Sequence, residues 1–114
     1  MTTSTEILNA AADLLEPDGA WCQREYARDA DGYVTTPYSS NAVSWCAMGA
    51  IARTCQITDE ASAEDFYRAR DRLRETLAWE GSPDTADWND ATERTQAEVV
   101  AMLRRVASLP TSSA

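Results

Sequence analysis

Histidine and lysine are both missing from this 114-residue chain, so all ten of its basic side chains are arginine. Without an imidazole one subunit cannot build a Cys-His or Ser-His-Asp relay, a His-ligated zinc site or a histidine pH switch. Cysteine is scarce too. Cys22, Cys46 and Cys55 form no CxxC pair and have no zinc-like spacing, so neither a disulfide framework nor a metal site is expected. No GxxxxGK[ST] or GxGxxG is present, and no cofactor is expected. Positive charge is the minority sign: 19 acidic residues against 10 basic ones give a net charge of -9, spread over both halves. That balance provides no basic face for a phosphate backbone, so direct binding to nucleic acid or to an anionic membrane is not expected. An acidic surface can instead compete with nucleic acid for a basic partner, or simply keep a small protein soluble. Long apolar runs are lacking as well. The longest nearly apolar stretch, 42–52, falls well short of the roughly 20 residues that span a bilayer. The opening MTTSTEILNAAADLLEP has no positive region ahead of a continuous apolar one, so a cytoplasmic protein is expected.

What is present is ordinary globular composition, 44% hydrophobic and 25% charged, in a length that suits one domain. The expected architecture is mainly α: a compact bundle of about four helices around a central apolar helix. One small helical domain over 1–109 is expected, followed by a disordered tail at 110–114. Thr3-Ser-Thr-Glu6 has capping-box spacing and opens helix 1, Glu6 to Glu16, which Pro17-Asp-Gly19 stops. Between helices 1 and 2, Asp31-Gly32 favours a tight turn, so Gln23 to Arg28 and Tyr33 to Thr36 are read as a short β-hairpin or an irregular loop. Ser39 or Ser40 caps helix 2, Asn41 to Thr54, where a glycine at 49 implies a close backbone contact. Helix 3 is expected from Ala63 to Trp79, with Ser62-x-x-Asp65 as its cap, and helix 4 from Gln96 to Leu109 behind the Thr95/Glu98 capping box.

Cys46 is the one candidate nucleophile. In an apolar helix, burial raises a thiol's pKa, so the core reading competes with a reactive thiol activated by arginine, a helix N-terminus or a carboxylate such as Asp90. Arg68, Arg70, Arg72 and Arg74 on helix 3 could hold an anion or be laced by acids of the same helix. Asp29-x-Asp31-Gly32 has a fragment of the calcium-loop rhythm but lacks the glycine at loop position six and the closing glutamate. The richest constellation is Trp88-Asn89-Asp90 with Arg94, in a loop, beside Trp21, Arg24, Tyr26 and Asp29 of the earlier segment. If both converge on helix 2, Trp21, Trp45 and Trp88 would wall a shallow pocket with Arg24, Asp90 and Arg94 at its edge; otherwise they are loop staples.

Three stretches, ARDADG, AVSWCAMGAI and WNDATERTQAEVVAMLRR, in this order across most of 6–107, resemble a family of small uncharacterised domains from high-GC bacteria and their phages. Its pattern is an ARDxxG turn, a WCxxGA[LI] helix and a WND loop followed by an RTxxEV helix. The resemblance implies a stand-alone, mainly helical domain in a phage or genomic-island setting, and no activity. The expected function is a non-enzymatic protein-binding module, possible in a phage or prophage, that docks its hairpin and WND surface on a host or phage protein. The alternatives are a small enzyme or ligand pocket using Cys46 and the Trp88-Asn89-Asp90 loop, and an acidic nucleic-acid mimic. A monomer is as compatible with the sequence as a homodimer.

Overall fold

The first helix, α1 (Ser4–Leu15), begins where its sequence signal places it. The Thr3 hydroxyl accepts the Glu6 N–H at 3.1 Å and the Glu6 carboxylate reaches back to the Thr3 N–H at 3.4 Å. Its buried stripe, Ile7, Leu8, Ala11, Ala12 and Leu15, packs against α5 (Gln96–Ser108) and α2 (Ala47–Cys55). Between α2 and α5 lie α3 (Glu60–Trp79) and a short α4 (Thr85–Asp90). The structure is a computed structural model that describes residues 3–56, 59–82 and 84–110, so all but the first residue of the expected tail at 110–114 lies outside the described residues. The chain is mainly α, with a small antiparallel β-pair between helices 1 and 2.

The pair consists of β1 (Ala27–Asp29) and β2 (Ala42–Trp45), with Ala27 opposite Trp45, Arg28 opposite Ser44 and Asp29 opposite Ala42. Here the expected elements need correction. Asn41 to Thr54 is not one helix: its first third is extended, and the helix begins only after Cys46. An apolar run of this length reads equally well as buried helix or buried strand, and backbone bonds decide it. Trp45 donates its N–H to Ala20 O at 2.9 Å and accepts from Cys22 N–H at 3.0 Å, while Cys46 N–H reaches Tyr26 O at 3.2 Å. The cap is therefore Cys46, whose Sγ accepts the Gly49 N–H, and not Ser39 or Ser40. The Asp31-Gly32 turn does form, with Gly32 at φ 84° and the Asp29 N–H bonded to Tyr33 O at 2.9 Å. Its returning arm makes only one bridge, Val34 to Arg28, and β1 takes β2 as its main partner.

Gly49 is required where it stands. A Cβ there would overlap the Tyr26 carbonyl oxygen, so the 24–26 segment lies directly on the first turn of α2. Helix α3 starts a turn earlier than Ser62-x-x-Asp65 suggests, because Asp59 takes the cap and its carboxylate accepts the Ser62 N–H at 2.8 Å. Arg72 ties the bundle's far end. Its Nη1 donates to Ser4 Oγ and Thr5 Oγ1 at 2.9 and 2.8 Å, and its Nη2 to the Val106 and Leu109 carbonyls at 2.9 and 3.1 Å. Those carbonyls end α5, where a cation offsets the negative end of the helix.

Candidate functional site

The Trp88-Asn89-Asp90 triplet is helical, not a loop: it is the last turn of α4, which Asp84 caps by accepting the Asp87 N–H at 3.0 Å. This turn is threaded into the 21–24 segment by Asn89, which is 1% exposed. Its Oδ1 accepts from Trp21 Nε1 at 2.8 Å and from the Ala47 N–H at 3.0 Å; its Nδ2 donates to Cys22 O at 3.2 Å and Asp90 Oδ1 at 3.0 Å. Both lone-pair directions and both amide hydrogens are thus used, and the Ala47 bond satisfies one of the orphan donors that open α2. Gln23 adds two bonds, from Nε2 to Asn89 O and Ala91 O at 3.0 and 2.9 Å. Arg24 completes the knot: its N–H meets Asp90 Oδ1 at 2.7 Å, with its backbone in the left-handed region at φ 74°.

The residues expected to converge therefore do so in part. Trp21, Arg24, Asn89 and Asp90 meet in this knot. Trp88, 7% exposed, lies instead under Arg94, whose guanidinium sits 4.1 Å from the ring centroid and whose Nε donates to Trp88 O at 2.9 Å. Asp29 ties its own turn, accepting the Asp31 and Tyr33 N–H groups at 2.9 and 3.0 Å. Trp45 is buried, with Nε1 on Pro37 O. No three-tryptophan wall forms; those rings serve as staples.

A cleft of about 220 Å³ does open beside the knot, and different residues wall it. Arg24, Glu25 and Tyr26 form one side, Thr85, Ala86 and Asp90 the other, with Cys46, Met48 and Asn89 between them. Its chemistry is mixed. The side chains of Arg24 and Glu25 and the Oδ2 of Asp90 have no protein partner among the described residues. Thr85 is 6% exposed and its Oγ1, out of solvent's reach, has no hydrogen-bond partner. Among the described residues it is the one buried side-chain oxygen or nitrogen left in that state. Such an orphan costs about 1–3 kcal/mol, against a native tendency to satisfy nearly all buried polar atoms. Thr85, Met48, Ala86 and Glu25 are missing from the sequence-derived candidates. Asp84-x-x-Asp87 could have revealed the helix that carries Thr85, but no sequence pattern reveals an orphaned hydroxyl.

Cys46 faces this cleft as a poor nucleophile. It is 9% exposed, and burial pushes its thiol up to about 11 despite the lowering influence of the Gly49 N–H on Sγ. Burial raises Cys22 and Cys55 as well. All three cysteines are free, and no group of three metal-ligating side chains forms among the described residues. A roomier groove, about 460 Å³, runs past Trp79, which is 91% exposed, but the arginines that line it are committed: Arg68 to Glu64 at 2.7 Å and Arg72 to the end of α5. Arg70 pairs with Asp71 at 3.0 Å, so of the four arginines on α3 only Arg74 lacks a protein partner among the described residues.

Residues 1–109 match a family of unknown function (DUF6197), nearly the whole chain, and the chain belongs to that family. Among curated proteins and among solved structures nothing matches. No helix among the described residues is long and apolar enough to cross a membrane.

Proposed function

We propose that this member of the family is a non-enzymatic binding module whose recognition site is the cleft between residues 24–26 and α4. The observation that carries the proposal is the Thr85 hydroxyl, buried in the cleft wall without a partner at a cost folding alone has no reason to retain. Two further features support it. Arg24 is held in a backbone conformation that L-residues avoid, pinned by Asp90, and strain of this kind gathers at ligand sites. Binding without turnover suits the groups present, since there is no histidine, the thiol at hand is held protonated, and Asp90 already receives two hydrogen bonds.

The test is a fragment screen on the isotope-labelled chain, followed by amide chemical shifts. Fragments that perturb Arg24, Glu25, Met48, Thr85 and Ala86 together support the proposal; a diverse library that leaves those amides unmoved sinks it. A protein partner, of host or phage origin in the prophage setting the motifs imply, is the second reading. It is favoured by Tyr26, Tyr33 and Tyr38, exposed at 62%, 72% and 50% around the Asp29 turn. Loss of a specific captured protein in Tyr33→Ser, with fragments still bound at Thr85, would place that partner on the turn and not in the cleft. The nucleic-acid mimic is disfavoured by charge placement. Six carboxylates, Asp13, Glu16, Glu64, Asp71, Glu80 and Glu98, are paired with arginine, which removes them from any phosphate-like row.

A further inference from the structure

From the groups around the cleft, we propose that its ligand is a compact zwitterion, an amine and a carboxylate on a short apolar frame, as in a free α-amino acid. The inference rests on the binding-module reading and names the chemistry of that same site. Size sets the first bound. A cleft of about 220 Å³ is smaller than the usual 300–1,000 Å³ of drug-sized ligand sites, which favours a small ligand over a nucleotide or an extended cofactor.

Charge sets the second bound. The residues lining the cleft include one arginine, Arg24, and two acids, Glu25 and Asp90. A purely anionic ligand would meet those carboxylates, and a purely cationic one the arginine. A ligand with both signs is complementary to all three: its carboxylate takes the planar donor fork of Arg24, and its ammonium takes Asp90 Oδ2. Oδ1 of Asp90 is already saturated by the Arg24 N–H and Asn89 Nδ2, so the carboxylate is held in place with one oxygen to spare.

The remaining lining residues supply the rest. Met48 and Ala86 offer apolar contact for a short side chain. Thr85 Oγ1 lies covered in the cleft wall without a partner, so its donation to a ligand carboxylate requires the side chain to turn about χ1. Met48, Thr85 and Ala86 also border a second hollow of about 180 Å³, lined further by Arg70, Arg74 and Asp84.

The experiment titrates the full chain with free α-amino acids, read by calorimetry and by amide shifts, alongside the same compounds with the amine acetylated or the carboxylate amidated. The expected result is saturable binding by at least one free amino acid at the Thr85 and Arg24 amides, lost on blocking either end. Thr85→Val keeps shape and removes the hydroxyl, and is expected to weaken binding about tenfold while the protein stays folded. Arg24→Gly, which suits the left-handed backbone, is expected to weaken it at least as much. Binding unchanged by either block, or undiminished in both variants, overturns the zwitterion. If no amino acid binds but fragments from the screen still occupy the cleft, the ligand class is wrong and the binding site stands; if neither binds, both fail.

Discussion

Asn89 and Thr85 sit four residues apart on the same short helix, both buried, both polar, and they are treated oppositely. Asn89 has every donor and acceptor engaged, and through them joins α4 to the 21–24 segment and to the opening of α2. Thr85 has a hydroxyl with no partner at all. The two ends of α4 thus differ in how fully their buried polar groups are satisfied. Polar groups that assemble a structure are satisfied within it, and the Thr85 hydroxyl departs from that rule.

The largest effect should come from breaking the satisfied end. Asn89→Asp removes the Nδ2 donor and sets a carboxylate against Asp90, beside the Cys22 carbonyl. We expect a loss of about 3–5 kcal/mol, the range for a broken buried polar network, measured as a shifted denaturation midpoint. Asn89→Ala should cost somewhat less, about 2–4 kcal/mol, because it orphans Trp21 Nε1 and the Ala47 N–H without adding charge. A loss under about 1 kcal/mol for both would mean the knot does not hold the segments together.

Gly49→Ala tests the same junction from below. Alanine gains up to about 1 kcal/mol in helix propensity, but its Cβ overlaps the Tyr26 carbonyl and must displace the 24–26 segment. Net destabilisation of about 2 kcal/mol is expected, with amide shifts moving along the cleft wall. A variant as stable as the parent would show that the wall can retreat at no cost.

The pH dependence of stability reports on Cys46 beneath both ends. Its folded pKa is raised to about 11 from an ordinary 9.0, so between those values the unfolded chain gives up this proton and the folded chain keeps it. Stability is fully present below pH 9 and falls as pH rises towards 11, by about 2–3 kcal/mol at most from this group. Cys22 and Cys55, raised in the same direction, add to the slope. Comparing denaturation at the two ends of that window in the parent and in Cys46→Ala isolates the contribution; identical slopes would show that the thiol does not titrate this way.

Much of this arrangement could be read from residue order, and the unread part has a common cause. The Thr3 and Thr95 capping boxes, the apolar face of helix 1 through Ile7 and Ala11 with Leu8 and Leu15 beside them, and the close approach at Gly49 are local or periodic signals, and each is present, although Leu14 of that face is only partly buried. The burial of Cys46 also agrees with its apolar neighbours, although it caps α2 and does not lie within the helix. The strand at Ala42–Trp45 did not, because its conformation is set by the Ala20, Cys22 and Tyr26 backbone, some twenty residues earlier in the chain. The WND segment is rich in chemically versatile residue types, yet Trp88 and Asn89 are consumed internally, and the cleft beside them is lined in part by Thr85, Glu25 and Met48. Exposure and satisfaction are properties of the packed chain, and no alphabet of residues encodes them singly.

At the unsatisfied end the expected changes are smaller and opposite in sign. Thr85→Val replaces the orphaned hydroxyl with a methyl of similar shape and should raise stability by about 1 kcal/mol, the lower part of an orphan's cost. A destabilised valine variant would mean that the hydroxyl has a partner in solution, and the contrast with Asn89 would collapse.

Arg24→Gly is the finest probe of the same contrast. A left-handed backbone costs a non-glycine residue about 1–2 kcal/mol, and the φ of 74° places Arg24 there. Glycine removes that strain but makes the unfolded chain more flexible, returning about 0.5–1 kcal/mol of it. The Asp90 bond survives, since it is made by the backbone N–H. A net gain of about 0.5–1 kcal/mol should remain in denaturation experiments. Gain in stability with loss of ligand would mark Arg24, like Thr85, as a residue kept against the interest of the fold; a loss of stability instead would mean its guanidinium holds the 24–26 wall in place and belongs with Asn89.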